Sequence, residues 1–174
     1  MQNGPVNWFW QIDEENHYLN LWLSKDIKFV CAFTEPQLNG YCNGKVQFTT
    51  EDVELYSIFR DTLAKTQLDQ ESQFSVAINA TAACNYLTPL ATKSWLYSIL
   101  EPSPAELFGG DIVILQTVES AYYLVLESDN QTSTLILISK KHHIDSNRMF
   151  SQSQTVKVHN DRIKKVLSIR DISI

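Results

Sequence analysis

The side chains able to do chemistry are few and scattered. Cys31, Cys42 and Cys84 form no pair at the two-to-four-residue spacing of a zinc knuckle, and none has an evident base partner. They read as buried apolar thiols in a reducing compartment. His142-His143 has two imidazoles, but neighbours on a strand point to opposite faces, so a solvated or partly packed pair is expected rather than a metal site. Asp13-Glu14-Glu15 concentrates three carboxylates where a turn between strands is expected, and a solvated polar tip explains them. A phosphate loop, a dinucleotide fingerprint, His-Glu-x-x-His and Gly-x-Ser-x-Gly are all absent. Gly109-Gly110 reads as a hairpin entry. Asn79-Ala80-Thr81 and Asn130-Gln131-Thr132 match the glycosylation pattern, which is empty without secretion. The reading is a protein that is not an enzyme and has no cofactor and no metal.

Charge and aromatics remain. Of the 174 residues, positions 1–139 hold 6 Lys and Arg against 17 Asp and Glu, whereas 140–174 hold 8 against 3. Such asymmetry suggests a docking surface, with internal neutralisation of the acidic body as the bland alternative. The basic stretch has one aromatic, Phe150, so it lacks the stacking platforms of a nucleic-acid binder. An acidic protein surface is the better partner. Trp8, Trp10, Trp22 and Trp95 lie in or beside the first half, where they form either core or an interaction pocket. No apolar run approaches the ~20 residues of a membrane helix, and no basic segment followed by an apolar run opens the chain, so neither a membrane span nor a secretory signal is expected.

The elements that must position these residues segregate. Val6–Ile12, His17–Leu23, with Leu19, Leu21 and Leu23 on one face at period two, and Ile27–Phe33 read as strands separated by polar turns and predict an antiparallel meander. A loop over 34–48 precedes a helix capped by Thr49 or Thr50, with Leu55, Ile58, Phe59 and Leu63 as its apolar stripe. A second, alanine-rich helix runs from Glu71 to Tyr86. A strand over Lys93–Ile99 and strands over 111–118, 121–128, 133–139 and 154–159 follow. A turn or short basic helix is read at Asn160–Lys165, and a last strand or tail over Val166–Ile174. The nearly continuous apolar character of the middle strands implies burial on both faces or a curled sheet with a filled interior. The class is α+β, with N-terminal antiparallel strands and two helices, then a mostly-β half.

Several segments together resemble the ZapC family, cell-division proteins that associate with the tubulin-like FtsZ ring in gammaproteobacteria. They are Asn7-Trp8-x-Trp10 with Asp13-Glu14-Glu15, Glu51-Asp52 with Leu55-Tyr56, Tyr86-Leu87-x-Pro89 with Lys93-Ser94-Trp95, and Asn160-Asp161-Arg162. The resemblance implies an N-terminal α/β domain with an apolar pocket, 1–92, and a C-terminal twisted β-barrel-like domain with a basic surface, 93–174. It implies direct FtsZ binding, lateral bundling of filaments, damped GTPase activity and a cytoplasmic, mid-cell location. By motif, Lys93 and Arg162 carry over as partner-binding residues and Leu21 as an apolar pocket position. Trp22 is placed in the pocket beside it. A family lysine before the proline is Thr88 here, and Lys164 and Lys165 are read as compensating. A monomer without nucleic-acid or membrane contacts is expected. The competing class is a small-ligand or nucleotide-binding enzyme using the aromatic pocket.

Overall fold

The computed structural model describes residues 7–101, 106–168 and 174. Val6, part of the 101–110 loop and most of the predicted final strand therefore lie outside the described residues.

The first half is a four-stranded antiparallel sheet covered by two helices. β1 (Phe9–Ile12), β2 (Tyr18–Trp22), β3 (Lys28–Thr34) and the short β4 (Val46–Gln47) lie in the order β3-β2-β1-β4. The predicted polar turn closes β1 and β2: Asp13 Oδ1 accepts from the backbone N–H of Glu15 at 2.9 Å and of Asn16 at 3.0 Å. Alternation sends Trp10, Leu19, Leu21, Cys31 and Phe33 into the core. Phe9 and Trp22, directly opposite each other, stack on the other face.

Helix α1 (Thr50–Ala64) starts where the threonine signal predicts. Thr49 accepts from the Asp52 N–H, and the Asp52 carboxylate accepts from the Thr49 N–H, a reciprocal box. Phe59 and Leu63 of the predicted stripe are buried, but Ile58 is half exposed. Its methyl faces Gly110, whose φ of +94° suits glycine and whose missing Cβ leaves room for that contact. Helix α2 (Gln70–Tyr86) is capped by Asp69, which accepts from the Ser72 N–H at 2.8 Å. It is buried nearly all round, and its alanines let sheets approach on both sides. Asn79 Oδ1 accepts from the Ala32 N–H at 2.8 Å, so the glycosylation-like asparagine is a buried structural residue.

The second half is a five-stranded antiparallel sheet: β5 (Ile112–Gln116), β6 (Ser120–Ser128), β7 (Thr132–Leu137), β10 (Thr155–His159) and β11 (Lys164–Lys165), ordered β10-β7-β6-β5-β11. Both faces are buried, as the sequence predicts. Ile112, Leu124, Leu126 and Ile136 join the helices in one core. Val113, Leu115, Tyr123, Val125, Leu135 and Leu137 fill a second. The edge strands β10 and β11 are joined by residues 160–163, including a 3-10 turn at Asn160–Arg162. A flat sheet would separate those edges by ~19 Å at ~4.8 Å per strand, too far for so tight a link, so the sheet curls.

Two departures from the predicted elements have tertiary causes. The hairpin of β8 (Lys141–Asp145) and β9 (Arg148–Ser151) was not predicted, because its sequence is polar and charged and its stability comes from the sheet it covers. The predicted strand at Lys93–Ile99 is instead a 3-10 turn at Ser94–Leu96, preceded by a single parallel bridge, Thr92 to Lys157. The Leu96 and Tyr97 N–H groups return to the carbonyls of Lys93 and Ser94, which removes them from any strand ladder.

Candidate functional site

The turn at Ser94 is the meeting point of the middle and the end of the chain. The Lys93 N–H donates to the Lys157 carbonyl at 2.8 Å. The nearly buried Ser94 hydroxyl accepts from the His159 N–H at 2.7 Å and lies 2.6 Å from His159 Nδ1. Arg162 Nε donates to the Ser94 carbonyl at 3.2 Å. Farther on, the Leu100 N–H donates to the Asp161 carbonyl at 2.8 Å. Lys93 and Arg162 thus occupy one junction.

Their states differ. Lys93 is exposed and forms no ion pair among the described residues. Arg162 is 17% exposed and pairs with its neighbour Asp161 at 2.5 Å, while that carboxylate remains half exposed. The pair lies at a rim and is not sealed inside, and it orders the guanidinium. Lys164 is exposed and likewise without an ion pair among the described residues. Lys165 is committed internally: it pairs with Asp111 at 3.2 Å and donates to the Glu106 carbonyl at 3.1 Å. Lys140 pairs with Asp69 at 3.4 Å, so part of the basic tail does neutralise the acidic body.

Two residues at the junction had no clear signal in the sequence. Arg148 of β9 places its guanidinium 5.1 Å from the centre of the Trp95 ring while pairing with Asp145 at 2.7 Å. Lys157 lines a cavity of about 350 Å³ at the seam of helices and sheet, together with Leu55, Cys84, Leu87, Thr88 and Leu126. Against the expectation of three buried thiols, only Cys31 and Cys42 are buried and Cys84 is exposed, although its apolar surroundings and the nearby Glu127 still push its thiol up to about 12, so it is protonated at neutral pH.

The tryptophans divide. Trp8 and Trp10 pack edge-on or tilted against Phe48, Tyr56, Phe74 and Tyr86 with centroids 5.4 to 6.4 Å apart, which is core packing. Leu21 is wholly buried in that core and offers no surface to a partner. Trp22 lies on the opposite sheet face, stacked on Phe9 and with Lys28 Nζ 5.4 Å from its ring centre.

His142 corrects the expectation of a solvated or partly packed pair. It is fully buried, whereas His143 sits outside and meets Glu119 at 2.8 Å. His142 Nε2 faces the Glu119 carbonyl at 3.1 Å, an acceptor only, so Nε2 carries the hydrogen. Nδ1 then accepts from the Tyr123 hydroxyl at 2.8 Å. Burial holds its pKa below the ordinary histidine value, partly opposed by that carbonyl and the Glu119 charge. Among the described residues no group of three or more His, Cys, Asp or Glu could hold a metal ion.

The model of the N-terminal part of cell-division protein ZapC matches residues 3–88, and that of its C-terminal part matches 89–168. The chain belongs to the ZapC family. It is 30% identical over 165 residues to the cell division protein ZapC of Pseudoalteromonas atlantica, covering 91% of this chain and 90% of the relative. The ZapC of Tolumonas auensis is 28% identical over 159 residues, 90% and 88% of the two chains, and that of Shewanella oneidensis 25% over 167 residues, 95% and 94%. ZapC proteins are cell-division proteins. No helix among the described residues is long and apolar enough to cross a membrane.

Proposed function

We propose that this ZapC-family chain binds FtsZ directly, promotes lateral bundling of its filaments, damps their GTPase activity and acts in the cytoplasm at mid-cell. The observation that carries the reading is the convergence of Lys93 and Arg162 on the Ser94 turn. Arg162, with Nε on the Ser94 carbonyl and Nη1 on Asp161, keeps Nη2 for a partner carboxylate, Lys93 adds a point charge unpaired among the described residues, and Lys164 is a further exposed cation. The contact is non-catalytic, and its long-range part is electrostatic steering toward an acidic filament.

Bundling requires two contacts per molecule or self-association. A monomer satisfies it if the basic face of 93–174 is one contact and the outer sheet face of 1–92, with Trp22 stacked on Phe9, is the other. The test is co-sedimentation with FtsZ polymerised in GTP. Wild-type protein pellets with filaments, and Lys93→Glu with Arg162→Glu leaves it in the supernatant with an unchanged circular dichroism spectrum. Undiminished pelleting of the double variant refutes the reading.

A further inference from the structure

Trp95 is 70% exposed, although Ser94 and Tyr97 on the same short turn are buried. Roughly 150 Å² of ring therefore faces solvent on a segment that is anything but loose. The turn is fixed at Lys93 by the Lys157 carbonyl, at Ser94 by His159 and Arg162, and beyond it by the Ser98 N–H, which donates to the Gln116 carbonyl at 2.9 Å. A rigid platform spares the partner the ordering entropy that a mobile tryptophan would lose on binding. Three cations also lie around the ring, Lys93 without an ion pair among the described residues and the two arginines each paired with an aspartate, Asp145 and Asp161. Lys93 precedes it by two positions, the Arg148 guanidinium sits over it, and the Arg162 guanidinium is bonded to the carbonyl just before it. Tryptophan and arginine at the centre of a patch with a cationic border are the composition of an interface hot spot.

We propose that Trp95 is the apolar anchor of the basic face, receiving an apolar side chain flanked by a carboxylate on the acidic partner, while the unpaired Lys93 meets that carboxylate. The inference rests on FtsZ being that partner, and it assigns the affinity to a residue other than the cations. Charge complementarity selects the occupant: the unpaired Lys93 two positions before the ring disfavours a basic surface, and the exposed ring rejects a purely polar one.

The experiment measures pelleting of the intact protein across a range of polymerised FtsZ. Trp95→Ala should weaken apparent affinity on the order of 30-fold, the loss typical of a hot spot, and Trp95→Phe should recover most of it. The emission difference between wild-type protein and Trp95→Phe isolates this ring, and it should shift to the blue when filaments are added. That readout needs only the conservative variant, so it stands if Trp95→Ala folds poorly. Wild-type pelleting by Trp95→Ala, or an unshifted difference spectrum, overturns the anchor while loss of binding in Lys93→Glu with Arg162→Glu keeps the FtsZ reading. Failure of the wild-type protein to pellet overturns both.

Discussion

Ser94→Ala probes the junction without touching any charge. Its hydroxyl accepts from the His159 N–H at 2.7 Å and shares a hydrogen with His159 Nδ1 at 2.6 Å, in a site where Ser94 is 7% exposed. Removing the oxygen deletes two hydrogen bonds and leaves a nearly buried backbone donor without an acceptor. A lost hydrogen bond is worth about 1 kcal/mol and an orphaned buried donor about 1–3 kcal/mol, so the total is about 2–4 kcal/mol. For a chain of 174 residues, that lowers the melting temperature by roughly 4–16 °C. The functional consequence exceeds the stability loss, because the same turn spaces Lys93 from Arg162. Urea titration gives the first number and co-sedimentation with FtsZ at a temperature where the variant is folded gives the second. Ser94→Thr keeps the oxygen and should recover both. If Ser94→Ala melts like wild type, the hydroxyl does not hold the turn and the reasoning fails.

Stability should fall as pH drops below about 6.5, because the unfolded state takes up a proton that buried His142 resists; with a folded pKa below the unfolded one, the loss begins at the unfolded value and proceeds downward. The slope is at most about 1.4 kcal/mol per pH unit for this one group, and a pH series of urea melts should find it reduced in His142→Gln. Asp52→Ala should cost about 3–5 kcal/mol, since it removes the cap reciprocal to Thr49 and strands the buried Trp10 indole N–H, which donates to Asp52 at 3.0 Å, and the Asn85 amide. An equilibrium denaturation midpoint within error of wild type contradicts that network. FtsZ pelleting should decline steeply from 50 to 300 mM salt, because exposed charge pairs are screened beyond ~10 Å at 0.1 M. Binding that ignores salt assigns the contact to apolar surface alone.

What the sequence determined by itself was local. Period-two alternation identified β2, strand-like runs between polar turns identified β1 and β3, the Thr49 cap and apolar spacing identified α1, and continuous apolar runs identified a sheet buried on both faces. Those signals are legible because backbone geometry fixes which neighbours share a face. The ordered motifs also carried the family, through residue identity and not through any physical signal. Tertiary structure decided the rest. The strand predicted at Lys93–Ile99 became a turn because its hydrogen bonds go to residues 157–162, which no local pattern encodes. His142 went inside because a hairpin of polar sequence folds over Tyr97 and Tyr123. Lys165 and Lys164, adjacent and identical in type, separated into an internal ion pair and an exposed cation through strand alternation against Asp111. The joining of Arg148 to Trp95, and of Arg162 to Ser94, awaited the curl of the sheet, because contacts between distant segments depend on how the layers pack, a property of the whole chain.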